Sequence, residues 1–153
     1  MRCLSLSLTL FAALLVSGCS IKQTVTPVSL SAAMEPVICM IPAEGLRPGF
    51  QASYERLLRE KGFQIRQLAA NSNPAVCPLS TTYIGRWSWD FTIYMSYADI
   101  RVFQHGVQVG QAEYDSRSGG MAFSKFINAE AKIGELTHQL FPNGAAGMSA
   151  ARL

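Results

Sequence analysis

The alternation of apolar and polar positions divides the chain into a short apolar leader and one β-α-β-β-β-α domain. Val37-Ile38-Cys39-Met40-Ile41 is wholly apolar and ends at Pro42, as expected of a central strand covered on both faces. Phe50, Tyr54, Leu57 and Leu58 fall at i, i+4, i+7 and i+8, one apolar stripe that predicts a helix from Phe50 to Lys61. Gly62 is placed to end that helix in the left-handed region. Phe63 to Gln67 alternates and reads as a second strand, parallel to the first through a right-handed crossover. Ala69 to Pro78, with Asn71, Ser72, Asn73 and two prolines, reads as a loop.

The strongest pattern follows. Trp87, Trp89, Phe91, Ile93, Met95 and Tyr97 hold alternate positions, and polar residues fill most of the others. This predicts one long strand with a buried face, on which both tryptophans pack into the core. The apolar phase then slips to Ile100 and Val102, which a bulge near Ala98-Asp99 would explain. His105-Gly106 suits a two-residue hairpin turn, and Val107 to Asp115 returns antiparallel with an irregularity at Gly110. After a loop from Ser116 to Gly120, Phe126, Ala129, Ile133, Leu136 and Leu140 step by three and four in a last helix that Pro142 stops. The expected architecture is α+β, a two-layer sandwich of a mixed sheet with two helices on one face. The domain spans 37–142, behind a flexible tether over 19–36 and ahead of a frayed tail over 143–153.

The leader changes the picture. Met1-Arg2 begins with a positive charge, Leu4 to Val16 is apolar except for Ser5, Ser7 and Thr9, and Ser17-Gly18 leads to Cys19. Residues 1–18 therefore read as a secretory signal peptide, too short to span a membrane comfortably. Leu15-Val16-Ser17-Gly18-Cys19 resembles the lipobox of bacterial lipoproteins. That resemblance implies a diacylglyceryl thioether on Cys19, an acylated amine, and membrane attachment through the lipid. Ser20, where an aspartate signals inner-membrane retention, implies an address in the outer membrane, facing the periplasm.

The formal net charge is +3, and the basic residues are scattered rather than clustered, which argues against a nucleic-acid partner. Of the four cysteines, Cys3 lies in the leader and Cys19 is the lipidation site. Cys39 and Cys77 remain as a possible disulfide, favoured by an oxidising periplasm over two separately buried thiols. No Cys-x-x-Cys occurs, so nothing points to a redox enzyme.

Trp87-x-Trp89-Asp90, Tyr94, Ala98, Gly106, Gly110, Ala112-x-Tyr114-Asp115, Gly119-Gly120, Lys125-Phe126, Glu130-x-Lys132-Ile133, Leu136 and Leu140-Phe141-Pro142 carry a second resemblance. From Tyr83 to Pro142 the chain resembles a family of small, uncharacterised proteobacterial lipoproteins. The resemblance implies no activity and no catalytic residue.

The candidate binding residues are Asp90, Tyr94, Tyr114 and Asp115. Asp90 and Tyr94, with Asp115 across the hairpin, would make a small acidic pocket; the plainer alternative is an exposed Asp90 paired with Arg86 or Arg101. Tyr94 and Tyr114 are expected on an open sheet face. His105 and His138 lie far apart without a third ligand, so no metal site is expected, and no catalytic residue or cofactor is assigned. Gly119-Gly120 lacks the lysine of a phosphate loop, and no Gly-x-Ser-x-Gly elbow occurs. Three roles remain in descending order: a non-enzymatic envelope protein that binds another envelope component, a small-ligand-binding lipoprotein, and a hydrolase of envelope polymers.

Overall fold

A computed structural model of the chain describes residues 21–30, 35–118 and 123–149. The expected signal peptide, Cys19, Gly119-Gly120 and residues 150–153 lie outside that range.

The apolar run of the first predicted strand forms β2 (Val37–Pro42), and the striped helix is α1 (Pro48–Glu60), which buries Phe50, Tyr54, Leu57 and Leu58. Pro48 opens α1, where its missing N–H costs nothing. Gly62, at φ 91°, closes it: its N–H donates to Arg59 O, and the Phe63 N–H donates to Leu58 O. The chain then enters β3 (Gln64–Gln67), parallel to β2. β4 (Leu79–Asp90) also runs parallel to β2, and β5 (Thr92–Gln104) and β6 (Val107–Asp115) follow as antiparallel neighbours. α2 (Ala129–Leu140) starts at Asn128, whose side chain accepts from the Ala131 N–H at 3.0 Å, and it buries Ile133, Leu136 and Leu140. With β1 (Lys22–Thr26) at one edge, the sheet is six-stranded and mixed, in the order β1-β6-β5-β4-β2-β3. The core lies between it and the helices: Ile38 and Met40 of β2, Ala98, Ile100 and Val102 of β5, and Ala112 and Tyr114 of β6 meet the helical stripes. This is the α+β arrangement that the pattern predicts.

The contact between layers is tight. A Cβ at Gly85 would stand 2.7 Å from the Phe50 ring, so only glycine lets α1 seat on β4 there. The buried Tyr54 hydroxyl is satisfied by Thr81 of β4 at 2.9 Å. Burial drives the phenol pKa of Tyr54 far above its ordinary value, so it is a permanent neutral partner. His105 and Gly106, at φ 51° and 80°, form the expected tight turn.

Three expectations are corrected. First, the long strand is a hairpin. Asp90 pairs with Thr92, and Phe91 forms the apex at φ 58°. Trp87 stays at the core edge, in edge contact with Phe50, but Trp89, Phe91 and Ile93 are exposed because the hairpin projects beyond the helices. The bulge is not at Ala98-Asp99 but at Ser96: Arg86 pairs with Tyr97 and Trp87 with Met95, leaving Ser96 over. A second bulge leaves Val109 over, one residue before Gly110.

Second, the tether is largely structured. Lys22–Thr26 is β1, antiparallel to β6, and Ile21, Val25, Val28 and Leu30 pack against the core. The Val28 N–H donates to Leu140 O at 2.8 Å, and Gln23 donates to Glu135 of α2 at 2.7 Å. Alternating Ile21, Gln23 and Val25 outweigh the Ser, Thr and Pro around them. Third, the expected frayed tail begins folded: the Ala145 N–H donates to Lys61 O at 2.9 Å, and Ala145 is buried.

Cys39 and Cys77 form a disulfide across a 38-residue separation. It joins β2 to the segment that enters β4. By the chain-entropy relation, replacing both cysteines with serine is expected to cost about 4 kcal/mol. Urea unfolding of the two forms measures the difference, and thiol titration of denatured, unreduced protein is expected to find neither sulfur free.

Candidate functional site

The structure separates the four candidate residues. Pairs directly opposite in an antiparallel sheet share a face. Asp90, opposite Thr92, and Tyr94, opposite Ser88, therefore share the hairpin face turned away from Trp89 and Ile93. Asp115 lies opposite Tyr97, five positions along β5 from Thr92, or roughly 15 Å away. No acidic pocket joins Asp90 to Asp115.

Asp90 has neither of the arginine partners considered for it. Its carboxylate accepts from Lys125, which sits in the one-turn helix Phe123–Lys125 and is almost wholly buried. The Lys125 ammonium lies 5.4 Å from the Tyr94 ring centre and 5.3 Å from that of Phe126, and the two rings meet edge to face at 5.4 Å. A cation between two aromatic faces and a carboxylate is a structural clamp that holds the 123–128 segment on the hairpin. Tyr94 is buried in that clamp rather than displayed. Tyr114 is buried in the helix-side core under the Lys132 ammonium, 5.2 Å from its ring centre. Neither tyrosine offers the open surface expected of it.

The open surface is the sheet face opposite the helices, and its polar residues come from β1, β6, β5 and β4. Asp99 is its buried centre. It accepts from Arg101 Nε at 2.8 Å and from Gln111 Nε2 at 2.9 Å. Arg117 grips Asp115 through Nε at 2.9 Å and Nη2 at 2.6 Å, and its guanidinium lies 4.5 Å from the Tyr97 ring centre. These hydrogen bonds hold the Asp115 carboxyl below its ordinary pKa, helped by the nearby Lys22. Burial, with Asp99 and Glu113 beside it, raises the Tyr97 phenol. A recess of about 310 Å³ opens beside Asp99 and Arg101, bounded by Ile41, Asn71 and Thr82.

Sequence reasoning missed Lys125 as a site residue and missed the Asp99-Arg101-Gln111 group. The signal for the latter is the i, i+2 spacing of Asp99 and Arg101, which puts both on one strand face. The same spacing places Arg117 beside Asp115. Nothing local marks Lys125, because its partner lies 35 residues away. Among the described residues, no group of three or more His, Cys, Asp or Glu is placed to hold a metal ion, and no helix is long and apolar enough to cross a membrane.

No family model and no curated sequence matches the chain. Solved structures do. A Leu-to-Met variant of the PelC dodecamer from Paraburkholderia phytofirmans superposes with a TM-score of 0.51 at 12% identity, covering 82% of this chain and 99% of that one. A second crystal form of the PelC dodecamer gives 0.49 at 14% identity, covering 80% and 98%. The first likeness shows that the fold recurs, and at this identity it shows the fold alone.

The two carboxylates should respond differently to loss of charge. Asp90→Asn takes the counter-charge from a buried ammonium and is expected to destabilise by about 1.5–3 kcal/mol. Asp115→Asn, whose partner Arg117 is half exposed, is expected to cost less than about 1 kcal/mol. Urea unfolding ranks them. Asp115's depressed pKa contributes stability above the ordinary carboxylate pKa, lost as the pH falls through the lower folded value. A carboxyl-carbon NMR titration is expected to show that low midpoint in the wild type and a rise toward the ordinary value in Arg117→Ala.

Proposed function

We propose that the chain is an envelope lipoprotein, held in the outer membrane by a lipid on Cys19 and facing the periplasm. In this reading its domain binds another envelope component rather than turning over a substrate. The observation that carries the reading is the state of the open sheet face. Its charges are already committed to one another: Asp99 is held by Arg101 and Gln111, and Asp115 by Arg117. A general acid at neutral pH needs a carboxyl tuned upward, whereas Asp115 is tuned downward. A broad face of fixed, paired polar groups suits recognition of a complementary protein surface. The leader supports the location, and the resemblance of residues 83–142 to small proteobacterial lipoproteins supports the class.

A small-ligand-binding lipoprotein is the alternative, favoured by the recess of about 310 Å³ beside Asp99 and Arg101. That volume is at the lower end of ligand pockets, about 300–1,000 Å³. Comparing native with denaturing mass tests it through the retention of a small molecule.

Metabolic labelling with radioactive palmitate is expected to mark the wild-type chain and not Cys19→Ala. On a sucrose gradient the labelled chain is expected in the outer-membrane fraction; recovery in the inner-membrane fraction would contradict the address. Crosslinked envelopes are expected to yield a partner with the wild type that Asp99→Lys loses while keeping its label. Equal recovery with the two chains would remove the sheet face from the proposal. The PelC neighbours are dodecamers, so further copies of this chain are among the partners such a crosslink would report.

A further inference from the structure

The β4–β5 hairpin ends in an apolar surface that the domain does not use. Trp89 is 73% exposed, Phe91 86% and Ile93 57%, and Phe123, in the segment packed on the hairpin's opposite face, is 84% exposed. Phe123 is joined to the hairpin through Phe126, whose ring lies 6.4 Å from that of Phe123 and packs on Tyr94. From Trp87 to Met95 the sequence carries one charged residue, Asp90, and Lys125 neutralises it. Phe91 holds the apex at φ 58°, a conformation that disfavours a bulky side chain. An exposed aromatic ring on a strained backbone serves no purpose for a domain surrounded by water, and such outliers point to function.

The register says what lies opposite this tip. Arg86 pairs with Tyr97, Tyr97 with Asp115, and Asp115 with Lys22, so one rung crosses β4, β5, β6 and β1. β1 runs from this rung away from the hairpin tip, so its N-terminal end is the end nearer the tip. Cys19 is three residues before Lys22, so its Cα is at most about 11 Å from that rung. Phe91 lies six residues past Tyr97 on the same side, roughly 15–20 Å beyond the rung. The N-terminal end of β1 and the apolar tip therefore lie toward the same end of the sheet, and a lipid on Cys19 would be tethered within about 11 Å of the Lys22 rung. The rung itself carries exposed Arg86 and Lys22, with Arg117 two residues past Asp115.

We propose that the tip formed by Trp89, Phe91, Ile93 and Phe123 inserts into the bilayer interface, a second membrane contact beside the lipid on Cys19. Arg86 and Lys22, on the rung whose Asp115 is neutralised by Arg117, form the basic edge that meets anionic headgroups above it. Apolar and aromatic side chains at the acyl boundary with basic residues at headgroup level are the arrangement that interfacial binding requires. The several acyl chains read for Cys19 already hold the chain stably; what the tip adds is a fixed orientation of the domain, which lipid chains alone leave free. The inference rests on the reading of Cys19 as the lipidated residue.

The test uses the full-length lipidated chain carrying Trp87→Phe, which leaves Trp89 as the single tryptophan. It is reconstituted in vesicles of phosphatidylethanolamine and phosphatidylglycerol containing brominated phosphatidylcholine. Trp89 emission is expected to shift blue on reconstitution and to fall at least about twofold against unbrominated vesicles, since bromine quenches only within the bilayer. Adding Phe91→Asp is expected to abolish both changes while the chain still floats with the vesicles. Aspartate tolerates the left-handed conformation, and near-ultraviolet circular dichroism verifies that the domain is folded. A floating chain whose Trp89 stays red and unquenched overturns the proposal. So does a blue shift without bromine quenching, which would place the tip against another protein. Mass spectrometry of Cys19 judges the anchor separately: an unmodified Cys19 with a quenched Trp89 removes the anchor and keeps the tip.

Discussion

The arrangement of the β4–β5 hairpin depends on one extra residue. β4 keeps a single apolar phase from Leu79 through Thr81, Tyr83 and Gly85 to Trp87, while β5 must present Ala98, Ile100 and Val102 at one end and Met95 at the other. Those two sets differ in parity, so an unbroken ladder would turn one of them away from the helices. Ser96 absorbs the difference. Its hydroxyl accepts from Ser88 Oγ at 2.9 Å and donates to Arg86 O at 3.3 Å, and its carbonyl accepts from the Ser116 N–H at 2.9 Å. A buried bulge leaves ladder groups without partners, and three serines supply them. With the bulge satisfied, the tip departs from the sheet with Trp89 and Ile93 still on the helix-side face but beyond the helices that would cover them.

That parity also decides how much of the fold is legible in the sequence. α1 is read to within two residues of its observed start at Pro48 because its stripe and its closing glycine agree. β2, the parallel β3 and the His105-Gly106 turn follow from equally local signals. The apex at Phe91 is illegible for a definite reason. Asp90 and Thr92 flank a single residue, so odd-numbered positions on both arms fall on the same face, and the alternation runs through the reversal as if nothing had happened. Asp-Phe-Thr carries no Gly or Asn to mark a left-handed position. The slip of apolar phase is legible, but its location is not, because Ser96 looks like any other polar strand position.

The candidate site is legible to a lesser degree. The sequence picks out Asp90 on β4, Tyr94 on β5 and Tyr114 and Asp115 on β6, but what each of them meets is set by the tertiary fold. Asp90 meets a lysine 35 residues away, and Tyr114 turns inward because Ala112 and Gly110 set the inward phase of β6. The reading of residues 19–36 as a tether fails through composition. Ser, Thr and Pro suggest a loose segment, but the β-branched Thr24, Val25 and Thr26 pair with β6, and Gln23 reaches α2. The difference bears on the proposed anchor: a long tether would let a domain roam at a distance, whereas β1 begins three residues after Cys19.

The two ends of the sheet are consequently held in different ways. Cys39 pairs with Ser80, and Ser80 with Phe103, so the disulfide to Cys77 sits at the end near the His105-Gly106 turn. There the strands are fixed covalently as well as by the core. At the other end the hairpin leaves the helices behind, and the Asp90-Lys125 pair and the Tyr94-Phe126 contact hold it. Local stability in a folded domain follows the density of buried contacts, so opening should begin at the tip and be resisted at the disulfide. A domain built this way keeps its open sheet face rigid while the end beside its N-terminal strand stays adaptable. Compliance of that kind is useful where a surface must settle among lipid headgroups, and it is costly where a protein partner must be matched in shape.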